Sequence, residues 1–209
     1  YRLCANLHLA KCNWIVERGP IAQLCASCAL TRTRPNDSDT VALASFAAAE
    51  KAKSRLIAEL HELKLPIVGR DEDPQYGLAF DLLSSRSGES VVIGHADGVI
   101  TIDLAESLDA HREALRVRLG EPYRTMLGHF RHEIGHHFWD ILVSQSAYLD
   151  EFRRLFGDET QNYEEALQRH YAEGAPVDWQ SNYISSYAAS HPWEDFAETW
   201  AHYLHMVDT

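Results

Sequence analysis

The segment HFRHEIGHHFWD, His129–Asp140, decides how this chain is read. Within it His132, Glu133 and His136 form the pattern HExxH. Helical residues four apart share a face, so both imidazoles can close on one ion while Glu133 reaches a water bound to it. This points to a zinc hydrolase. The pattern alone is weak support: in a chain of 209 residues with 12 histidines, it arises by chance in ~5% of shuffled sequences. The rest of the chain has to supply a helix, a third ligand and a pocket.

Gly120 and Pro122 are expected to open that helix, since proline suits a first helical turn. At 100° per residue, Tyr123, Leu127, Phe130, Ile134, Phe138 and Ile141 fall on one stripe, with His132 and His136 roughly opposite. The helix then packs by one face and offers its ligands from another, which argues against two ordinary core histidines. His129, His137 and Asp140 lie off the ligand register and are read as structural or solvated.

The third ligand is sought on the last predicted helix, WEDFAETWAHYLHMV, which Ser190, His191 and Pro192 introduce. Glu194 and Glu198 share one face, and Phe196, Trp200, Tyr203 and Val207 the other. Two histidines and one carboxylate complete a catalytic zinc set, while a second carboxylate can fix a ligand imidazole. Glu194 is assigned as ligand and Glu198 as its supporting acid; the reverse assignment, or Asp195 as ligand, stays open. His202 and His205 lie about 12 and 16 Å along the helix from Glu194, too far for the same ion.

Cys4, Cys12, Cys25 and Cys28 are spaced C-x7-C-x12-C-x2-C, all in the first 28 residues. So short a segment cannot bury an adequate core, and four clustered thiols suit a tetrahedral structural zinc. Disulfides or a redox CxxC are the competing accounts. A zinc ribbon over residues 1–36 is expected, with a linker at PNDSD and a second domain over residues 37–209. A short helix is expected after the CxxC.

Residues 40–63 read as one long helix ended by Pro66, with Phe46, Leu56, Leu60 and Leu63 at helical spacing. Strands are expected at 77–83, 91–93 and 99–104, with Asp97-Gly98 as a two-residue hairpin turn. Residues 91–104, including Val92, His95 and Val99, are the expected substrate edge for strand addition; a solvated His95 is the plainer reading. Residues 148–156 and 163–171 read as scaffold helices.

The net charge of −12 argues against nucleic acid, which needs clustered cations. No apolar run reaches the ~18 residues of a membrane span, and no secretory signal pattern opens the chain. A cytoplasmic protein with no membrane partner is expected. The chain begins at Tyr1 rather than Met, read as an upstream segment removed or left out.

The pair HEIGH and EDFAE resembles gluzincin-like zinc metallopeptidases. The resemblance implies His132, His136 and Glu194 as ligands, with Glu198 as the further acid. More fully, YRLCAN, LCASC, GLAFDLL, GHADGVITIDLAE, LGHFRHEIGHHFWD, ALQRHYA and HPWEDFAETWAHYLH resemble a bacterial family of zinc-binding metallopeptidases with an N-terminal zinc ribbon. Its members often carry a further CxxC pair upstream of the YRLC segment, which is absent here. The resemblance also implies that Tyr187, seven positions before Glu194, donates to the oxyanion; Tyr183, His191 or a merely packed tyrosine stay open. The fold class expected is α+β: a zincin-like domain with a small mixed sheet, an active-site helix and a helical C-terminal part, behind the ribbon. Two zinc ions are expected, one catalytic and one structural. The function expected is peptide-bond hydrolysis on a protein or peptide substrate with Glu133 as general base. Two other functions compete: a non-catalytic module whose ribbon recruits a protein partner, and a zinc hydrolase of another amide bond.

Overall fold

The computed structural model describes residues 1–21, 23–85, 91–107 and 125–209. The expected helix opening at Gly120, Pro122 and Tyr123 lies outside the described residues. The chain divides into two compact units, Tyr1–Phe130 and Arg131–Thr209. It is mixed α/β, with a small sheet and helices behind an N-terminal cysteine cluster. No described helix is long and apolar enough to cross a membrane.

In the first unit, strands β1 (Arg2–Leu3) and β2 (Ile15–Val16) form an antiparallel pair. Helix α1 (Ala26–Ala29) is only one turn and starts inside the CxxC rather than after it. Strand β3 (Thr31–Thr33) follows directly, then helix α2 (Thr40–Glu62). The side chain of Asp39 accepts from the backbone N–H of Ala42 at 2.9 Å, which fixes where α2 begins. The helix ends at Glu62, one residue short of the expected Leu63, which caps it, with Lys64 at φ 58°. Phe46, Leu56, Ile57 and Leu60 are its large apolar side chains that are fully buried.

Strands β4 (Ala79–Leu83), β5 (Gly94–Ala96) and β6 (Val99–Asp103) complete a four-stranded sheet of order β3-β4-β6-β5. β3–β4 and β4–β6 are parallel, and β5–β6 antiparallel. Thr31–Thr33, placed by sequence within the ribbon segment, therefore pairs into this sheet. Asp97 (φ 47°) and Gly98 (φ 80°) make the expected hairpin turn. A Cβ on Gly98 would meet the Tyr76 carbonyl oxygen at 2.5 Å, so the position excludes a side chain twice over.

The expected substrate edge needs correcting. Val92 is 85% exposed and lies before the strand, which begins at Gly94. Val99 is buried, and its strand has a neighbour on each side, so it offers no free edge. His95 does lie on the edge strand, where its Nε2 accepts from Gly98 N–H at 3.1 Å and braces the turn.

Beneath the sheet, Lys53 is fully buried. Its ammonium donates to Glu50 at 2.8 Å and to the Thr31 hydroxyl, and sits 5.3 Å over the Phe80 ring.

The second unit is helical. It holds most of α3 (Met126–Leu142), then α4 (Leu149–Phe156), α5 (Tyr163–Glu173) and α6 (Pro192–Val207). Phe138 stacks on Trp200 with centroids 5.0 Å apart, and Phe196 packs edge-on to Phe152 and Phe156. Two expectations about faces change. Ile141 is 40% exposed, because it lies in the last turn of α3, beyond the packed stretch. On α6, Tyr203 and Val207 are exposed, whereas Glu194, Asp195, Ala197 and Leu204 are buried. The carboxylate face is the packing face. Its acids have partners there, which apolar periodicity cannot register.

The buried pair under the sheet yields a stability test. Lys53→Ala is expected to cost about 3–5 kcal/mol in urea unfolding, because it leaves the Glu50 carboxylate buried without its cation. Lys53→Met combined with Glu50→Gln is expected to be far milder.

Candidate metal centre

Helix α6 starts where it does because the Nδ1 of His191 accepts from the Trp193 N–H at 3.1 Å, and Pro192 supplies a first-turn φ. Nε2 of the same ring donates to the Gln161 carbonyl at 3.2 Å. Both nitrogens are engaged, so His191, an open choice for the oxyanion donor, is a helix cap. That start places Glu194 in the first turn.

Helices α3 and α6 cross at two small residues. A Cβ on Gly135 would lie 3.0 Å from the Ala197 Cα and 3.2 Å from the Trp200 Cβ. Glycine inside HEIGH is thus what lets the two backbones approach. The result is a convergence of three donors. His132 Nε2 and His136 Nε2 are 3.2 Å apart, and Glu194 Oε2 lies 3.0 Å from the first and 3.5 Å from the second. A tetrahedral ion with ligands at about 2.0–2.1 Å needs donor separations of about 3.3 Å. Glu194 Oε2 is buried with no hydrogen-bond donor satisfying it. Such an orphaned anionic oxygen beside two imidazole nitrogens fits a divalent cation, and the donor chemistry fits zinc.

The remaining donor atoms are held from outside. His132 Nδ1–H donates to Glu198 Oε1 at 2.8 Å, which fixes the tautomer that presents Nε2. Glu194 Oε1 accepts from the Tyr163 hydroxyl at 2.5 Å. The His136 ring lies 3.8 Å from that of Trp193, at 37°. Burial alone would push the Glu194 carboxyl up, but the His132 and His136 imidazoles facing Oε2 hold it well below the usual range. Burial likewise opposes a charge on His132, yet Glu194 and Glu198 raise its pKa well above normal. The site is tuned to hold positive charge between its carboxylates.

Glu133, next in the helix, is 7% exposed. It lies close enough to Tyr163 and Tyr187 to disfavour both phenolates, which burial and Glu194 already suppress. The Tyr187 ring is 6.1 Å from that of His132. Tyr183, the other open choice, begins the segment after the 3-10 turn Trp179–Ser181, and its N–H donates to the Trp179 carbonyl. Asp195 stands outside the donor set; burial, with Glu198 nearby, pushes its carboxyl to about 6. His202 Nδ1 bonds to the Glu198 carbonyl at 2.8 Å, and His205 Nδ1 to Arg131 at 2.8 Å. Tyr163 was read from sequence as scaffold. Nothing in its spacing marks it, since only the placement of α5 brings it to Glu194.

The four cysteines form a second cluster, buried and without disulfides. The sulfurs of Cys12 and Cys25 are 3.7 Å apart. That matches the edge of about 3.8 Å for a tetrahedron with zinc–sulfur bonds of about 2.3 Å and far exceeds the ~2 Å of a disulfide. Backbone N–H groups of Cys25 and Cys28 donate to the sulfurs of Cys4 and Cys25. A sulfur hydrogen bond from Cys28 holds the Cys25 thiol down to about 5, whereas burial pushes Cys12 up to about 11. One thiolate is thereby favoured in advance of a cation.

Comparison with known proteins agrees with this chemistry. A family model described as "putative zinc-binding metallo-peptidase" matches residues 42–209, and one described as a zinc-ribbon domain matches residues 1–39. Uncharacterized protein Mb2598c of Mycobacterium bovis and Uncharacterized protein Rv2568c of Mycobacterium tuberculosis are each 61% identical over 208 residues, 99% of this chain. The chain spans 61% of the length of these curated relatives. No solved structure matches it.

Removing the support of His132 should weaken the metal without abolishing it. Glu198→Ala is expected to lower zinc affinity at this centre about 10–100-fold in chelator competition, with the cysteine-held zinc unaffected.

Proposed function

The chain belongs to this family of zinc-binding metallo-peptidases, and from that premise we propose that it hydrolyses peptide bonds at the centre formed by His132, Glu133, His136 and Glu194. The observation that carries the reading is the convergence of two Nε2 atoms and one otherwise unsatisfied carboxylate oxygen beside a buried Glu133. This is the gluzincin-type ligand set, on a zincin-like α+β domain behind a ribbon.

Zinc held by His132, His136 and Glu194 would supply Lewis acidity, polarising the scissile carbonyl and lowering the pKa of water toward neutrality. Glu133 takes the proton from the attacking water and delivers it to the amine as the C–N bond breaks. Tyr187 donates its hydroxyl to the oxygen that gains charge as the carbonyl carbon becomes tetrahedral. Its pKa is raised by burial and by Glu194, which keeps the hydroxyl protonated for that donation. Glu198 keeps the His132 ring in register throughout. The cysteine cluster holds a second, structural zinc, and its reduced thiols suit a reducing compartment such as the cytoplasm. The substrate class is protein or peptide.

Glu133→Gln should leave the zinc content unchanged and lower kcat on a cleaved peptide by about 10²–10⁴-fold. A variant that keeps wild-type turnover contradicts the assignment.

A further inference from the structure

We propose that Tyr163 is a positioning residue that restricts Glu194 to one-oxygen ligation and so limits the protein to three donor atoms at this centre; the inference rests on the metal-centre reading above. Glu194 has two carboxylate oxygens with separate fates. Oε2 faces both imidazoles, at 3.0 and 3.5 Å. Oε1 accepts the Tyr163 hydroxyl at 2.5 Å. A carboxylate can chelate an ion only if both oxygens turn toward it, and here a short charge-assisted hydrogen bond holds one of them elsewhere.

The bond is directional. A carboxylate has no proton to give, so the Tyr163 hydroxyl is the donor and Glu194 Oε1 the acceptor. The Tyr163 ring is fixed as well, edge-on to His191 at 5.2 Å and to Trp193 at 5.6 Å. These two residues cap and open the helix that carries Glu194, so donor and acceptor are referred to one frame. Structural zinc sites are closed by four protein ligands, whereas catalytic sites keep a position for water or substrate. The cysteine cluster offers four donors and the centre on α3 and α6 three. Tyr163 keeps the latter from gaining a fourth through the second oxygen of Glu194.

Cobalt(II) tests this, because its visible d–d bands weaken several-fold when four-coordination becomes five. The wild type, Tyr163→Phe and Glu194→Ala would each be loaded with Co2+, and the Glu194→Ala spectrum subtracted to remove the cysteine site. The wild-type difference spectrum is expected to show intense four-coordinate bands, and the Tyr163→Phe spectrum bands at least twofold weaker. Phenylalanine keeps the ring contacts, and near-ultraviolet circular dichroism verifies the fold; Tyr163→Leu gives a second reading of the same loss. Unchanged bands in folded variants that bind Co2+ overturn the role of Tyr163 alone. An empty wild-type difference spectrum overturns the metal-centre reading and this inference with it.

Discussion

Helices α3 and α6 can carry a shared site only because they cross at Gly135 and Ala197, where no side chain larger than a methyl separates the backbones. The offsets on the two helices are the same. His132 and His136 stand three before and one after Gly135, while Glu194 and Glu198 stand three before and one after Ala197. One close crossing therefore puts the first acid against both imidazoles and the second against the outer nitrogen of His132. A bulkier residue at either crossing position would separate all four groups together. Helix packing and site geometry here have a single origin.

The energetics around this crossing are unusual for a helix pair. Each helix buries ionisable groups on its inner face, which costs several kcal/mol per group unless every charge is met. Glu194 meets that cost through two imidazoles and one phenol, and His132 through two carboxylates. His136 has a Nδ1 without a hydrogen-bond partner among the described residues and is held by the Trp193 ring instead. A cation among the three inner donors would complete this balance. The buried Lys53–Glu50 pair beneath the sheet follows the same logic, with an ammonium in place of a metal.

Much of this was legible in the sequence for definite physical reasons. His132, Glu133 and His136 follow from helical periodicity, and Glu194 with Glu198 from the same four-residue repeat on a second helix. The cysteine spacing and the Asp97-Gly98 turn depend only on local chemistry. What periodicity could not see was the burial of the ligand faces, since an acid buried against a histidine looks like a solvated acid. Tyr163 was invisible because its role depends on where α5 is laid, a tertiary fact without a local signal. Val99 was misjudged as part of an edge because strand order is set by long-range pairing, and the parallel β4 occupies its outer side.

The most direct measurement of the central claim is zinc-edge anomalous diffraction from crystals of the wild-type protein. Two zinc peaks per chain are expected, one among the sulfurs of Cys4, Cys12, Cys25 and Cys28 and one between His132, His136 and Glu194. A single peak confined to the cysteines, or a second peak on other residues, would contradict it.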